Sequence, residues 1–575
     1  KLDAGKVESM FAALDTDRSG CISKEEWRKG YYNAGFGAGT IVGQSSEGLN
    51  VLLGLINKPH HVDFQDLTHH RPPVRIRDEA ARGITLAQLR EMWAHIVTRV
   101  GPEGWVGVEG QRLTPTTVTM YDLLRYVIKP ATHKGQCSYI EAIALDAQPP
   151  LWCVSHWWGT PIRDMLDCLE QHSSDRGVPE HAPYWISAFA LNQHGFEKGF
   201  AEQVPLLYDR ALKTATGTIA VIDKKGTALK RTWVLYEMHR SLADVSLKLD
   251  LYTSYHHVCV TENRVEGTRH RECIAVGFCE GFNPCDLKNY YVNKFRREAF
   301  FPLHLAINAL AVTLQGAHAS VEEDRRALLY QIAGGTRHIE PPEKERAIEV
   351  CNANLRAHFA SSALRSALEY NDDLYEQCLA VIKKSSIKKM MLSFPLCSKF
   401  SVENACMLAD ALPISIESFD FGFDNVDKQA GEIFVKALAR RLMETRYALP
   451  SKKFGGPLKY LGLKSNRITN EAATQIGNAL SALTMPNLQV LDFGFPVPFG
   501  FEAALAITEC AFQEKDVLPR PLNFYGPSRL SAFVNVSNNN LTSADLILIV
   551  AAACTKSFGP LVALDVSYNN IDNNG

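Results

Sequence analysis

The segment "DTDRSGCISKEE", residues 15–26, spaces oxygen-bearing residues in the way that a calcium ion requires. Calcium takes six to eight oxygen ligands, and a twelve-residue loop supplies them from positions 1, 3, 5, 7, 9 and 12, with glycine at position 6 for a sharp turn. Gly20 stands at that sixth position. The residues at the ligand positions are Asp15, Asp17, Ser19, Cys21, Ser23 and Glu26, where Cys21 would use its backbone carbonyl. The sequence therefore predicts a calcium site.

The surroundings of this loop resemble an EF-hand. Apolar residues at helical spacing precede the loop, and Trp27 follows it. The later segment "VDFQDL", residues 62–67, resembles a degenerate second hand, because the glycine and most ligand positions before it are lost. The resemblance implies an EF-hand pair over residues 1–70, in which only the first hand binds calcium. A small helical domain is expected over 71–148.

The segment "LWCVSHWWGT", residues 151–160, places a hydroxyl and an imidazole beside two tryptophans. It is either a packed corner or the rim of a binding site. Four apolar runs, 151–155, 183–192, 217–223 and 246–253, alternate with amphipathic helical segments, which predicts a parallel sheet covered on both faces.

Ligands of such sheets bind beyond the carboxyl ends of the strands. The residues at those ends are Ser155, His156, Trp157, Asn192, Gln193, His194 and Asp223.

The helical segment "RTWVLYEMHRS", together with "CVSHWWG" and the strand order, resembles a Toll/interleukin-receptor (TIR) domain over 149–262. The family places a tryptophan four positions before a glutamate on the helix after the third strand, here Trp233 and Glu237. Enzymatic members use that glutamate to cleave the nicotinamide bond of NAD. The resemblance implies Glu237, Trp233, His156 and Ser155 as candidate catalytic residues. Two alternatives stay open: Trp233 as a core residue with Glu237 paired to Arg240 or Lys230, and His156 as a hydrogen-bonded structural histidine.

The last third of the chain repeats itself. Six segments beginning at Ile387, Ile416, Leu458, Leu488, Ser531 and Leu561 share a pattern of spaced apolar residues, most clearly "LKYLGLKSNRI" and "LVALDVSYNNI". Their starts lie 29, 42, 30, 43 and 30 residues apart, so units of one strand and one helix alternate with units that carry an insertion. The pattern resembles ribonuclease-inhibitor-type leucine-rich repeats over 381–575, which implies a horseshoe that binds protein partners or, alternatively, a structural spacer. Residues 263–380 are expected to form a linking helical bundle.

The composition limits which binding partners and which cellular location are expected. A net charge of −2 excludes a strong electrostatic attraction to nucleic acid, and no apolar stretch approaches the roughly 20 residues of a membrane span. Fourteen cysteines without regular spacing indicate reduced thiols and a cytoplasmic location. The chain begins without Met and its last repeat has no cap, so we expect both ends to be cut from a longer protein.

The fold class expected is thus a multidomain α/β protein: an EF-hand domain, a flavodoxin-like or TIR-like parallel sheet, a helical linker and an α/β leucine-rich repeat horseshoe. The function expected is a calcium-responsive cytoplasmic signalling or scaffold protein that binds protein partners through its repeats. One alternative is a calcium-regulated TIR-type NAD hydrolase, with calcium as cofactor and NAD as substrate. The other is a structural component that assembles into a larger complex.

Overall fold

The computed structural model describes most of the chain between residues 72 and 492 and short pieces beyond it. The described residues are 72–194, 200–263, 267–278, 298, 300–335, 339, 341, 343–393, 400–422, 430–449, 452–463, 468–482, 484–492, 503–504, 507, 523–524, 533–535, 541–547, 563–565 and 569–572. The chain divides into two compact units, Lys1–Pro73 and Val74–Gly575. The calcium loop and its degenerate partner lie outside the described residues, nearly all of which belong to the second unit.

A six-stranded mixed sheet forms the first part of this unit. Its strands are β1 Ile84–Thr85, β2 Trp152–His156, β3 Pro183–Trp185, β4 Gly217–Val221, β5 Lys248–Asn263 and β6 Gly267–Phe278. They lie in the order β1-β3-β2-β4-β5-β6, in which β3, β2, β4 and β5 are parallel while the edge strands β1 and β6 are antiparallel. The predicted α/β class is confirmed, whereas the sheet is mixed and not purely parallel.

Eight α-helices accompany this sheet in the described residues up to 243. They are α1 Leu86–Arg99, α2 Met120–Leu123, α3 Lys129–Thr132, α4 Tyr139–Ile143, α5 Ile162–Arg176, α6 Ser187–Ala190, α7 Phe200–Thr214 and α8 Thr232–Ala243. Local chemistry fixes several ends: Thr85 and Gln88 form a capping box at the start of α1, and α5 ends at Gly177, whose φ of +63° favours glycine.

The two faces of the sheet carry different helices. Side chains alternate along a strand, so Cys153 and Ser155 of β2 point to one face and Trp152, Val154 and His156 to the other. Cys153 packs with Tyr208 of α7 in one core cluster. Trp152 contacts His172 of α5, with ring centroids 4.5 Å apart. Helix α5 therefore covers one face, and α7 covers the other.

Two differences from the sequence-based expectation have clear causes. The predicted second strand, 183–192, is a three-residue strand followed by α6, because the apolar run "ISAFALN" is buried as a helical turn and not as an extended strand. The predicted fourth strand is longer than expected and pairs with β6, which the sequence analysis did not predict. The apolar run of β6, "ECIAVGF", is short, and periodicity does not distinguish such a run from a buried helix segment.

Helices α9 Leu303–Leu310, α10 Glu322–Ile332, α11 Lys344–Tyr370 and α12 Asp372–Lys383 lead to the second sheet. Residues Leu305, Leu355 and Phe359 of α9 and α11 share a core cluster with Leu235 of α8 and Leu251 of β5. This helical layer therefore packs against the mixed sheet and α8. None of the helices among the described residues is both long and apolar enough to span a membrane.

Strands and helices alternate from Lys389 onward. The elements are β7 Lys389–Ser393, α13 Val402–Ala411, β8 Ser418–Gly422, α14 Ala430–Glu444, β9 Tyr460–Gly462, α15 Asn470–Ser481, β10 Val490–Asp492, β11 Asn523–Phe524, β12 Phe533–Asn535 and β13 Ala563–Asp565. Strands β7 to β11 form one parallel sheet in chain order, and β12 and β13 form a parallel pair.

The strands of the five-stranded sheet pair in a fixed register. Met390 lies beside Phe419, Phe419 beside Leu461, and Leu461 beside Leu491. These pairings step through the chain by 29, 42 and 30 residues, which are the spacings that the sequence pattern predicted. The second predicted insertion differs, since Asn523–Phe524 within it forms β11 and pairs with β10.

Candidate functional site

Trp233 and Glu237 lie one turn apart on α8, as their spacing predicts. Trp233 is half-buried against the core cluster that contains Cys153, Trp185 and Tyr208. Glu237 is 8% exposed and belongs to the buried polar groups of this region. The two side chains thus lie on the part of α8 that packs toward β2 and α7.

Ser155 shares this environment because it lies on the same face of β2 as Cys153. Burial raises the pKa of Glu237 from 4.5 to about 8, and the Ser155 hydroxyl opposes this shift by favouring the charged carboxylate. Ser155 Oγ is buried and has no hydrogen-bond partner of ordinary geometry among the described residues. Burial and the nearby Glu237 together raise the pKa of the Cys153 thiol. Glu237 and Ser155 are therefore neighbours, and burial favours the protonated form of Glu237.

His156 lies on the opposite face of β2 from Ser155. Its ring Nδ1 is 3.2 Å from the carbonyl oxygen of Trp157, and its Nε2 is buried without a hydrogen-bond partner among the described residues. Burial lowers the pKa of His156 to about 4, against the opposing effect of the Trp157 carbonyl. The four candidate residues therefore do not converge: the sheet separates His156 from Glu237.

A buried hydroxyl cluster, which the sequence analysis did not identify, holds α8 against the sheet. The hydroxyl of Tyr208 lies 2.5 Å from Thr218 Oγ1 and donates to the backbone oxygen of Glu237 at 3.3 Å. Ser241 Oγ lies 2.7 Å from the same Thr218 oxygen. No sequence signal marks these residues, because single hydroxyls on three separate elements carry no spacing pattern. The cluster fixes the position from which Glu237 projects.

The aromatic corner 157–159 is packed. Trp157 packs against the core cluster that contains Ala220, Ile222 and Val234. Trp158 lies against Tyr121, with ring centroids 5.7 Å apart, and its carbonyl accepts a hydrogen bond from Met120 N at 3.0 Å. A Cβ at Gly159 would lie 2.3 Å from the Trp157 ring, so this turn requires glycine. The two tryptophans hold the loop in place.

Among the cavities lined by described residues are three with volumes of about 40, 670 and 830 Å³. None of these three includes Ser155, His156, Trp233 or Glu237 in its lining. The largest lies between α7 and the end of α8, with Leu206, Arg210 and Arg240 among its lining residues.

The α5 face of the sheet carries a buried ionic network. Arg176 donates to Asp250 through Nε at 2.7 Å and through a terminal nitrogen at 2.5 Å, and His172 Nε2 lies 3.2 Å from the same carboxylate. Burial alone would raise the pKa of Asp250, but Arg176 and His172 outweigh it and hold that pKa well below its usual range. This network fixes the end of α5 to β5.

The segment after β3 carries hydrogen bonds at the edge where the sequence predicted ligand-binding residues. Asn192 Nδ2 donates to the backbone oxygen of Gln136 at 2.7 Å, and Asn192 Oδ1 accepts from His194 N at 3.0 Å. His194 Nε2 lies 2.8 Å from Thr132 Oγ1. Burial lowers the pKa of His194, with the nearby His133 and Lys129 acting in the same direction.

Within the described residues, no group of three or more His, Cys, Asp or Glu side chains could hold a metal ion. The candidate calcium ligands lie outside the described residues; they are Asp15, Asp17, Ser19, Cys21, Ser23 and Glu26.

The parallel sheet β7–β11 packs on α13, α14 and α15 through one face. The opposite face carries none of these three helices, although Lys389 and Met391 of β7 line the cavity of about 40 Å³ together with residues of α8 and α11. Met390, Phe419, Leu461 and Leu491 belong to the core cluster shared with α13, α14 and α15. Because side chains alternate, the neighbouring positions form columns on the other face, which we call the helix-free face. Its columns are Lys389, Ser418, Tyr460 and Val490, all partly exposed, and Met391, Asp420, Gly462 and Asp492. In the second column the carboxylates of Asp420 and Asp492 flank Gly462.

No protein-family model matches the chain, and no curated protein matches it.

Proposed function

We propose that this chain is a calcium-responsive scaffold that binds protein partners through the helix-free face of its repeat sheet. The observation that carries the proposal is the register of β7 to β10, in which equivalent residues of successive units form straight columns. Repeats stacked in this way present one extended surface, which is the typical use of such folds in protein binding. The leucine-rich repeat resemblance agrees with this topology.

The chemistry of the helix-free face supports protein recognition. Lys389, Tyr460 and Val490 combine a charge, an aromatic ring and an apolar side chain in one partly exposed column. Tyr460 OH lies 3.3 Å from Asp492 Oδ2. Aromatic residues held in position are common energetic centres of protein interfaces.

Affinity capture of the full chain from cells, followed by quantitative identification of the bound proteins, tests this proposal. The double variant Lys389→Glu, Tyr460→Ala should lose a defined set of partners that the parent chain binds. The matched control Glu403→Arg changes an exposed charge on α13, on the helical side, and should keep them. Identical partner sets for the parent and the double variant would contradict the proposal, and self-association into large particles without other proteins would favour a structural component.

The calcium response rests on the twelve-residue loop 15–26, whose spacing fits calcium at all six ligand positions.

The TIR-like module, residues 149–262, is proposed to act by binding and not by catalysis. Two observations support this: Glu237 is buried, which raises its pKa, and the tryptophans next to β2 are engaged in packing.

A TIR-type NAD hydrolase is the second candidate, favoured by Trp233 and Glu237 lying one turn apart beside Ser155. A carboxylate there could hold ribose hydroxyls and stabilise an oxocarbenium-like charge. Incubation of the purified chain with NAD, with and without calcium, separates the two candidates. The binding proposal expects no nicotinamide release. Release that Glu237→Ala abolishes, and that the exposed control Glu323→Gln retains, would establish the hydrolase instead.

A further inference from the structure

Two histidines from separate segments meet beyond the carboxyl end of β3. The rings of His133, just after α3, and His194, after α6, have centroids 6.1 Å apart with an interplanar angle of 61°. His133 is exposed and His194 is half-buried, so the space beside them is open to water. When two imidazoles bind one metal ion, each ring nitrogen lies about 2.0–2.1 Å from the ion. Rings whose centroids are 6.1 Å apart are close enough to share one ion in this way.

Hydrogen bonds define which nitrogen of His194 is available. Thr132 Oγ1 lies 2.7 Å from the backbone oxygen of Ile128 and 2.8 Å from His194 Nε2. A hydroxyl has one hydrogen, which Thr132 donates to the Ile128 carbonyl, so His194 Nε2 must donate to Thr132. The lone pair of the neutral ring is therefore on Nδ1. Metal-binding histidines are held in the same way, with the second ring nitrogen donating to an oxygen of the protein.

We propose that His133 and His194 form a binding site for a divalent transition-metal ion of the zinc and copper class, with water completing the coordination. Imidazole nitrogens prefer these ions, whereas calcium and magnesium prefer oxygen ligands. The nearby Lys129 adds positive charge, which weakens the binding of any cation here, so the imidazole nitrogens must supply the affinity. The site shares no residue with the proposed calcium loop or with the helix-free face.

Metal binding would connect two segments that the fold already brings together. Asn192 Nδ2 donates to the Gln136 oxygen, and Thr132 contacts His194, so the loop after α6 is fixed to the end of α3. An ion shared by His133 and His194 adds a further link between these segments. Because only two protein ligands hold this ion, it should bind more weakly than a structural zinc ion that is held by four.

Calorimetric titration of the full chain with zinc, at saturating calcium, tests the site. His133→Ala and His194→Ala should each weaken one binding event by about tenfold or more, and the double variant should lose it. The exposed control His181→Ala should bind as the parent does. Circular dichroism and thermal unfolding verify that each variant is folded. A double variant with the parent's zinc stoichiometry and affinity would overturn the proposal.

Electron paramagnetic resonance with copper gives an independent readout. The parent chain should show hyperfine splitting from two imidazole nitrogens, and each single variant should show one. Thr132 is a positioning residue here: Thr132→Val should weaken zinc binding by about 10–100-fold, and Thr132→Ser should restore it. A signal from one nitrogen that depends on His133 alone would mean binding to a single exposed histidine, and would also overturn the proposal.

Discussion

Arg176 and Asp250 form a two-point ion pair in the core of the mixed sheet, through contacts of 2.7 and 2.5 Å. Asp250 is fully buried, and the Arg176 side chain is 5% exposed. The guanidinium also lies over the Trp152 ring, 5.4 Å from its centroid. Removing one partner from such a pair leaves the other charge buried without compensation.

Replacement of Arg176 by Met should therefore lower the free energy of unfolding by about 3–5 kcal/mol. Urea denaturation, followed by circular dichroism, measures the change. The matched control is Arg90→Met, since Arg90 pairs with Glu170 and Glu180 while its side chain is 43% exposed. That control should cost about 0–1 kcal/mol. Equal effects for the two variants would contradict the role assigned to burial.

Glu237 should make the chain less stable as the pH rises. Its pKa is raised from 4.5 to about 8 in the folded state, so between these values the folded protein holds a proton that the unfolded chain has released. Stability should fall by up to about 1.4 kcal/mol per pH unit across this range and then level off. In urea titrations at pH 5 and pH 8, Glu237→Gln should lose less stability than the parent. The exposed control Glu323→Gln should leave the pH dependence unchanged, and a parent-like slope in Glu237→Gln would refute the assignment.

His156 should make the protein less stable as the pH falls in the acid range, which is the opposite pH dependence to that expected from Glu237. Its pKa is lowered from 6.5 to about 4, so between these values the unfolded chain binds a proton that the folded protein does not. Stability should therefore decrease as the pH falls from 6.5 to 4. Thermal unfolding across this range should show a weaker pH dependence for His156→Gln than for the parent. The control is the exposed His181→Gln, and a slope shared by both variants would mean that His156 does not contribute.

Gly462 should not accept a side chain. A Cβ at this position would lie 2.4 Å from Asp420 Oδ1, across the strand pair β8 and β9. Gly462→Ala should cost about 1–3 kcal/mol in the free energy of unfolding, as overpacked sites do. Gly101 has nothing within 4 Å of an added Cβ, so Gly101→Ala should be close to neutral. The double variant Gly462→Ala, Asp420→Ala should regain part of the loss, and no regain would exclude this contact as the cause.

Calcium binding should depend on Glu26 and not on its neighbour. Glu26 stands at position 12 of the proposed calcium loop, where both carboxylate oxygens would bind the ion, whereas Glu25 stands at position 11, which has no ligand role in such loops. Isothermal titration calorimetry should show calcium binding by the parent and by Glu25→Gln, and its loss in Glu26→Gln. Unchanged binding by Glu26→Gln would refute the loop.

The predictable parts of the fold are those in which one local pattern determines one element. The apolar run 217–223 contains β4, and "RTWVLYEMHRS" contains most of α8, because length and spacing leave little choice. The repeat spacing predicted the strand register of β7 to β10, since a large apolar residue recurs at the same point of each unit.

The candidate site was less predictable because it depends on pairs from distant parts of the chain. The spacing of Trp233 and Glu237 follows from a helix, and the opposite faces of Ser155 and His156 follow from strand alternation. Which helices cover each of those faces depends on the tertiary fold. The ion pair of Arg176 with Asp250 joins residues 74 positions apart. Strand β6 was missed because its antiparallel pairing depends on the length of β5, which the sequence pattern underestimates.

The connection between α14 and β9 is longer than those between the other early repeats, yet Ser418 still lies directly beside Tyr460. Strand pairing here is therefore independent of linker length. Tyr447 and Leu449 in this connection are 86% and 67% exposed, while Phe454 anchors its far end in the core. Lengthening a loop costs little entropy, and exposed loop tips tolerate foreign sequence. The segment around Ala448 is thus suited to carry an inserted epitope tag or a fluorescent label.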